Sequence, residues 1–308
     1  MSLGRAFSFT DDSVNVSYPN LSPSLAQTVA DPQSLAFLHN LEPAAHMFKI
    51  HRIQSSGYQE MFFSGHRPSD EPLNLTWDMC AEVQRWHLDV PKQAPLQFTA
   101  LYQLESLYTM VVALSPSQKD PHINDSNKTL IFEFVIDYVH QLHESIFGLN
   151  RISFLTCIDC QRAYMTGKLF LTILDSDFNR LLSGSVPEPP PVPPDSPGPP
   201  LLNSEYRVDC PSRASRCIDE TMDILEYAQR RWETKCLVRK FQNQSRKIRQ
   251  NLVQRQIQGQ PQPQPRQRMV PSGSGVYMAP TQAPLNPATG AYAVETHYAT
   301  VNYAHPGV

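Results

Sequence analysis

From Phe98 to Ile146, apolar residues return at three- and four-residue steps, a period that fits a helix and no strand. Phe98, Leu101, Leu104, Tyr108, Val111 and Leu114 form one strongly amphipathic run. Ser115-Pro116 stops it, because the residue before a proline is pushed out of the helical region. Asn124 to Ser126 supply good N-cap side chains for the next helix, with Ile131, Val135, Tyr138, Leu142 and Ile146 as its face and Gly148 as its terminator. No convincing run of strands competes, so the predicted class is all-α, an irregular multi-helix domain.

The same reading divides the chain into five parts. Residues 1–32, rich in Asp, Ser, Asn and Pro, form an extended lead-in. Residues 33–182 form a helical region. Leu35, Leu38 and Leu41 begin it, and Pro43 is placed in the first turn of a fresh helix, where its missing N–H costs nothing. That helix is expected to bury Ala45, Phe48, Ile53 and Met61. A segment around Trp77, Val83 and Trp86 ends before Pro91 and Pro95, and Phe154 to Leu182 gives a largely apolar helix or helix pair. Residues 183–206 contain SGSVPEPPPVPPDSPGPP, a linker expected to be polyproline II and solvated. Residues 207–257 are read as one closing helix, with Ile218, Met222, Leu225 and Trp232 on its face, running on into the basic stretch Arg239 to Arg255. Residues 258–308, a tail of Gln, Pro, Ser and Gly with scattered Tyr, bury too little apolar surface to offset ordering entropy and are expected to be disordered.

Composition narrows the functional classes. With net charge −3 over 308 residues, the chain as a whole has no pull toward nucleic acid or anionic membrane. No window approaches the roughly 18 apolar residues of a membrane span, and no apolar run follows Met1, so a soluble, intracellular protein is expected. Of the six cysteines, Cys157 and Cys160 form the single CxxC, while Cys80, Cys210, Cys217 and Cys236 are scattered. A binuclear zinc cluster needs six thiolates closely spaced, so reduced thiols in a helical core are expected instead.

Several constellations invite a chemical reading, and each has a plainer one. Cys157 and Cys160 make half a metal site at most, among the apolar neighbours Phe154, Leu155 and Ile158. His140 and His143 have chelating spacing without the glutamate of an HExxH motif, and a polar helix face is preferred. Asp11-Asp12 and Asn124-Asp125 lack the further ligands of a magnesium-dependent helical enzyme, and no GxSxG or glycine-rich phosphate loop is present. Pro190-x-x-Pro193 has the spacing of a polyproline ligand but is read as part of a passive spacer. Arg230 to Gln250 is the one electrostatic footprint. A helix with one buried and one solvated face is preferred there over an import signal or a nucleic-acid contact. No catalytic, cofactor-binding, metal-binding or DNA-binding residue is therefore assigned, no cofactor is expected, and the chain is not expected to be an enzyme.

Four stretches carry a resemblance: GRAFSFTDDSVNVSYP, AAHMFKIHRIQSSGYQEMFF, the pair Trp77 and Trp86, and LYQLESLYTMVVALSPSQKDP. In this order they resemble the latter half of the middle homology region of fungal zinc-cluster transcription factors, over roughly residues 4–245. Ser115-Pro116-Ser117 takes the place of the family's RPSP-like turn, with Leu114 where the family has Arg. Gly167-Lys168-Leu169 takes the place of its Gly-Leu element, and Cys217 to Phe241 is similar to its closing helix. In the family, a zinc cluster and the first part of the regulatory region precede the GRPF-like segment, which here begins a few residues after Met1. The resemblance thus implies a regulatory half without the zinc cluster, with apolar faces left open where an absent half would pack. It further implies a nuclear transcription regulator of a kind tied to metabolite gene clusters, with a full-length family member or a coactivator as partner. Homo- or hetero-dimerisation is part of that expectation, direct sequence-specific DNA binding is not, and no DNA-binding residue carries over. A protein–protein adaptor, or a dominant-negative partner of a full-length factor, is the alternative.

Overall fold

The computed structural model describes residues 32–63, 72–91, 94–117, 120–148, 155–192, 196–202, 208–232 and 234–259. The predicted lead-in and tail lie outside these residues, apart from Pro32 and the last two residues of the final helix. Among the described residues the chain is all-α, with eight α-helices and no strand. They are α1 (Pro32–Tyr58), α2 (Pro72–Leu88), α3 (Leu96–Leu114), α4 (Asp125–Phe147), α5 (Cys157–Ser176), α6 (Phe178–Leu182), α7 (Cys210–Trp232) and α8 (Lys235–Gly259), with one π-turn, Gln59–Phe63, extending α1. None is long and apolar enough to cross a membrane.

The central helix is α4. Asn124 caps it by accepting from the Asn127 amide at 2.7 Å, and Gly148 ends it. All five residues of its predicted face are buried. It runs parallel to α7 in constant register: Glu133 meets Arg213, His140 meets Glu220 and His143 meets Asp223, each pair 80 positions apart. The Phe147 and Tyr227 rings continue the series at 5.9 Å. Helix α5 runs the other way along α4, stacking Phe170 on Phe132 at 5.3 Å and placing Asp177, just beyond its end, beside Lys128. A capping box, Thr156 with Asp159, starts α5.

Gly167 is the point where α5, α7 and α8 converge. A Cβ there would stand 2.9 Å from both Phe241 Cε2 and Thr221 Cγ2, so any side chain forces the helices apart. Phe241, Ile248 and Leu252 of α8 are buried over this junction.

Three expectations are corrected. Pro43 does not open a helix but lies inside α1. An interior proline costs about 3 kcal/mol in an exposed helix. Here the ring is buried, and the Pro43 carbonyl accepts the Tyr102 hydroxyl at 3.2 Å, so tertiary contacts hold the helix through it. The buried face of α1 is also shifted from the predicted one: Phe48 is 50% exposed, while His46, Ile50 and Gln54 point inward, and Met61 in the π-turn is buried as expected. Finally, the closing segment is two helices. The chain breaks between Trp232 and Lys235, and α8 returns antiparallel to α7, with Arg249 2.6 Å from Asp219. Folding back lets α8 bury Phe241 and Ile248 against α5, which a straight continuation would leave in water.

The described part of the linker is only partly solvated. Pro200 is buried and Leu202 packs on the core, whereas Val186 and Leu201 are exposed.

Candidate functional site

The cysteine and histidine candidates resolve into packing and pairing. Cys160 is buried in the first turn of α5, and burial pushes its thiol up to about 12, while Cys157 is half-buried. All six cysteines are free thiols, four of them buried. His140 Nδ1 lies 2.9 Å from Glu220 Oε1, and that hydrogen bond holds the imidazole pKa above its ordinary value. His143 Nε2 lies 3.2 Å from Asp223 Oδ2. Each histidine therefore has its own carboxylate, and among the described residues no group of three or more potential metal ligands converges. Asn124 and Asp125 serve the start of α4, where Asp125 accepts from Lys128 at 2.8 Å and its carboxyl pKa is lowered by that bond. Asp11-Asp12 and Pro193 lie outside the described residues.

A buried polar node was not anticipated from the sequence. Glu105 of α3 is paired with Arg162 of α5, and both are buried. The Gln54 amide of α1 donates to Glu105 Oε2 at 3.1 Å and to Thr109 Oγ1 at 2.7 Å. The Arg162 guanidinium also covers the Tyr108 ring at 4.4 Å. Burial opposes the Arg162 charge, but Glu105 more than offsets this and raises its pKa. The node joins three helices and leaves its members satisfied. The signal was present in the sequence as one charge of each sign inside two apolar runs, but their pairing needed the fold.

The basic segment is resolved into an amphipathic helix. From Lys235 to Gly259, α8 carries Lys235, Arg239, Lys240, Arg246, Lys247, Arg249 and Arg255, and no Asp or Glu. Phe241, Ser245, Ile248 and Leu252 form its buried stripe, so the preferred reading of one buried and one solvated face matches the geometry. Some cations are tied to neighbours: Lys247 to Asp175 at 2.9 Å, Arg249 to Asp219 at 2.6 Å, and Arg255 to the Asn179 side chain at 3.2 Å. Arg239, Lys240 and Arg246 are exposed, as is Lys168 on the neighbouring α5. A groove of about 260 Å³ lies between α5 and α8, and a wider one of about 520 Å³ between α7 and α8. This positively charged helix, fixed by its hairpin and by Gly167, is the most strongly differentiated surface among the described residues.

Comparison of the chain with protein-family models, with curated proteins and with solved structures finds no match.

Proposed function

We propose that this chain is a transcription-regulatory protein that works through protein partners rather than by reading DNA with these helices. The observation that carries the reading is where the resembling elements fall. Trp77 and Trp86 are buried on α2, Ser115 caps the end of α3, Gly167 lies at the junction of α5, α7 and α8, and Phe241 covers that junction. These described residues of the resembling stretches sit in the helical core and at its junction, while the first stretch, residues 4–19, lies outside the described residues. The exposed basic face of α8 supplies a surface on which a partner can dock without disturbing that core.

The partner under this proposal is a full-length family member or a coactivator, the compartment is the nucleus, and a metabolite gene cluster is the setting. The experiment is to tether the chain to a foreign DNA-binding domain above a reporter gene. A change in reporter output supports a regulatory module. A silent fusion that still co-precipitates a full-length factor would favour a dominant-negative adaptor, and silence without any partner would overturn the proposal.

A further inference from the structure

The two grooves beside α8 carry opposite charge. On the α7 side, Asp219, Asp223 and Glu226 face Arg246 and Arg249, and Asp219 already holds Arg249. On the α5 side the rims are Lys168 and Lys247, with the Thr172 hydroxyl and the Gln244 amide beside them and Leu171 and Ile248 closing the floor. Lys240, Gln244 and Lys247 follow at i, i+4 and i+7, so they share one face of α8. Met165, Lys168 and Thr172 follow at i, i+3 and i+7 on α5, also one face, and Met165 is 52% exposed. Asp175 is the one carboxylate in this groove, and Lys247 takes it up at 2.9 Å. What remains is exposed Lys168 on the α5 rim, with Met165 about one turn before it, and exposed Lys240 about one turn before Gln244 on α8, on a chain whose net charge is −3.

We propose that the groove between α5 and α8 docks an acidic, amphipathic segment of a protein partner, its carboxylates on Lys168 and Lys240 and an apolar side chain against Met165. The inference rests on the reading of this chain as a module that works through proteins, and it names the chemistry of one partner. A groove of about 260 Å³ is open and smaller than sites that enclose a drug-sized molecule, typically about 300–1,000 Å³. A nucleic-acid duplex fits poorly for a different reason. An α-helix with its side chains is about 10–12 Å across and a DNA major groove about 12 Å. A duplex laid on α8 would therefore reach both flanks, and on the α7 side the carboxylates Asp219, Asp223 and Glu226 outnumber Arg246 and Arg249. A single extended or helical peptide occupies the α5 side alone, where the field is favourable. Exposed cations act within a Debye length of about 10 Å at 0.1 M salt, so docking here weakens as salt rises.

The test uses the purified full-length chain and three fluorescent probes: a synthetic peptide of Glu, Asp and Leu, the same peptide with Gln and Asn in place of the acids, and a short duplex DNA. Fluorescence anisotropy should show salt-sensitive binding of the acidic peptide only. The K168E/K240E variant, both positions exposed and outside the core, should bind it about tenfold more weakly, while D219K on the opposite flank should not weaken it. Circular dichroism checks that each variant keeps its helices. Absence of binding by the acidic peptide, equal binding by K168E/K240E, or tighter binding of the duplex would each overturn the inference. The reporter experiment separates the two claims. A regulatory chain that ignores the peptide loses this groove only, whereas a chain that binds the peptide but leaves the reporter silent loses the regulatory reading.

Discussion

Histidines in two regions of this molecule meet opposite environments. In the α1–α3 layer, His46 is 3% exposed, stacked on Trp86 at 4.6 Å and meeting the edge of Tyr102 at 4.9 Å. Its Nε2 is buried without a hydrogen-bond partner. Burial lowers its pKa to about 4, with Lys49 and His87 acting in the same direction and Asp89 against them. His51 and His87 in the same layer are also lowered by burial. Along the α4–α7 seam, His140 and His143 sit at the surface, each beside a carboxylate, and His140 is raised. The α1–α3 layer holds the His46 imidazole as an uncharged aromatic plate, whereas along the seam the Glu220 hydrogen bond favours the charged form of His140. The difference teaches that residue type alone does not set the sign of a pH effect. Burial sets it for His46, His51 and His87, and the hydrogen bond to Glu220 sets it for His140.

The largest effect expected comes from the node that ties the α1–α3 layer to α5. Glu105→Ala leaves Arg162 buried without its partner, which costs about 3–5 kcal/mol in denaturant unfolding. Replacing both, as Glu105→Met with Arg162→Met, should recover most of that loss. If the single and double variants are equally unstable, the ion pair is not what joins α3 to α5.

A smaller effect should separate the histidines by sign. Below pH 6.5 the unfolded chain binds a proton that folded His46 refuses until about pH 4, so this residue removes stability as pH falls through that window. His46→Phe keeps a buried ring and should flatten the acid limb of a stability–pH curve. An unchanged limb would show that His46 does not drive it. The raised pKa of His140 works the other way. Its contribution is complete below the unfolded value of about 6.5 and fades as pH rises through its raised folded value. His140→Asn should therefore cost less than about 1 kcal/mol, because the side chain is half exposed and screened, and should cost it only in acid. A loss of equal size above neutral pH would mean the seam depends on packing and not on charge.

Much of the architecture was legible because its helices obey the 3.6-residue period with apolar residues. For α4 the cap, the buried face and the terminator all follow from the sequence, since Asn124, the Ile131 to Ile146 stripe and Gly148 each act locally. Helix α1 was misread for the complementary reason. Its buried face includes His46 and Gln54, which a hydrophobicity pattern assigns to solvent, and its Phe48 points outward. Gln54 is compensated by Glu105 and Thr109, more than 50 positions away, and His46 is packed by stacking on Trp86. The amphipathic character of the α8 surface was visible as a charge run, but the opposite charges of its two grooves were not. That contrast arises only when α8 folds back between α5 and α7.

The sequence by itself determined that this protein is built from helices, where α4 begins and where α3 and α4 end, and which basic segment would stand apart from the rest. These are local properties, fixed by backbone sterics, capping groups and periodic apolar side chains within one or two turns. The tertiary structure decided that α7 and α8 form a hairpin, that Pro43 is carried inside a helix, that Glu105 finds Arg162, and that α4 and α7 lie parallel 80 positions out of step. Each of those depends on contacts between residues far apart in the chain, whose free energy outweighs a local preference only after the helices have packed.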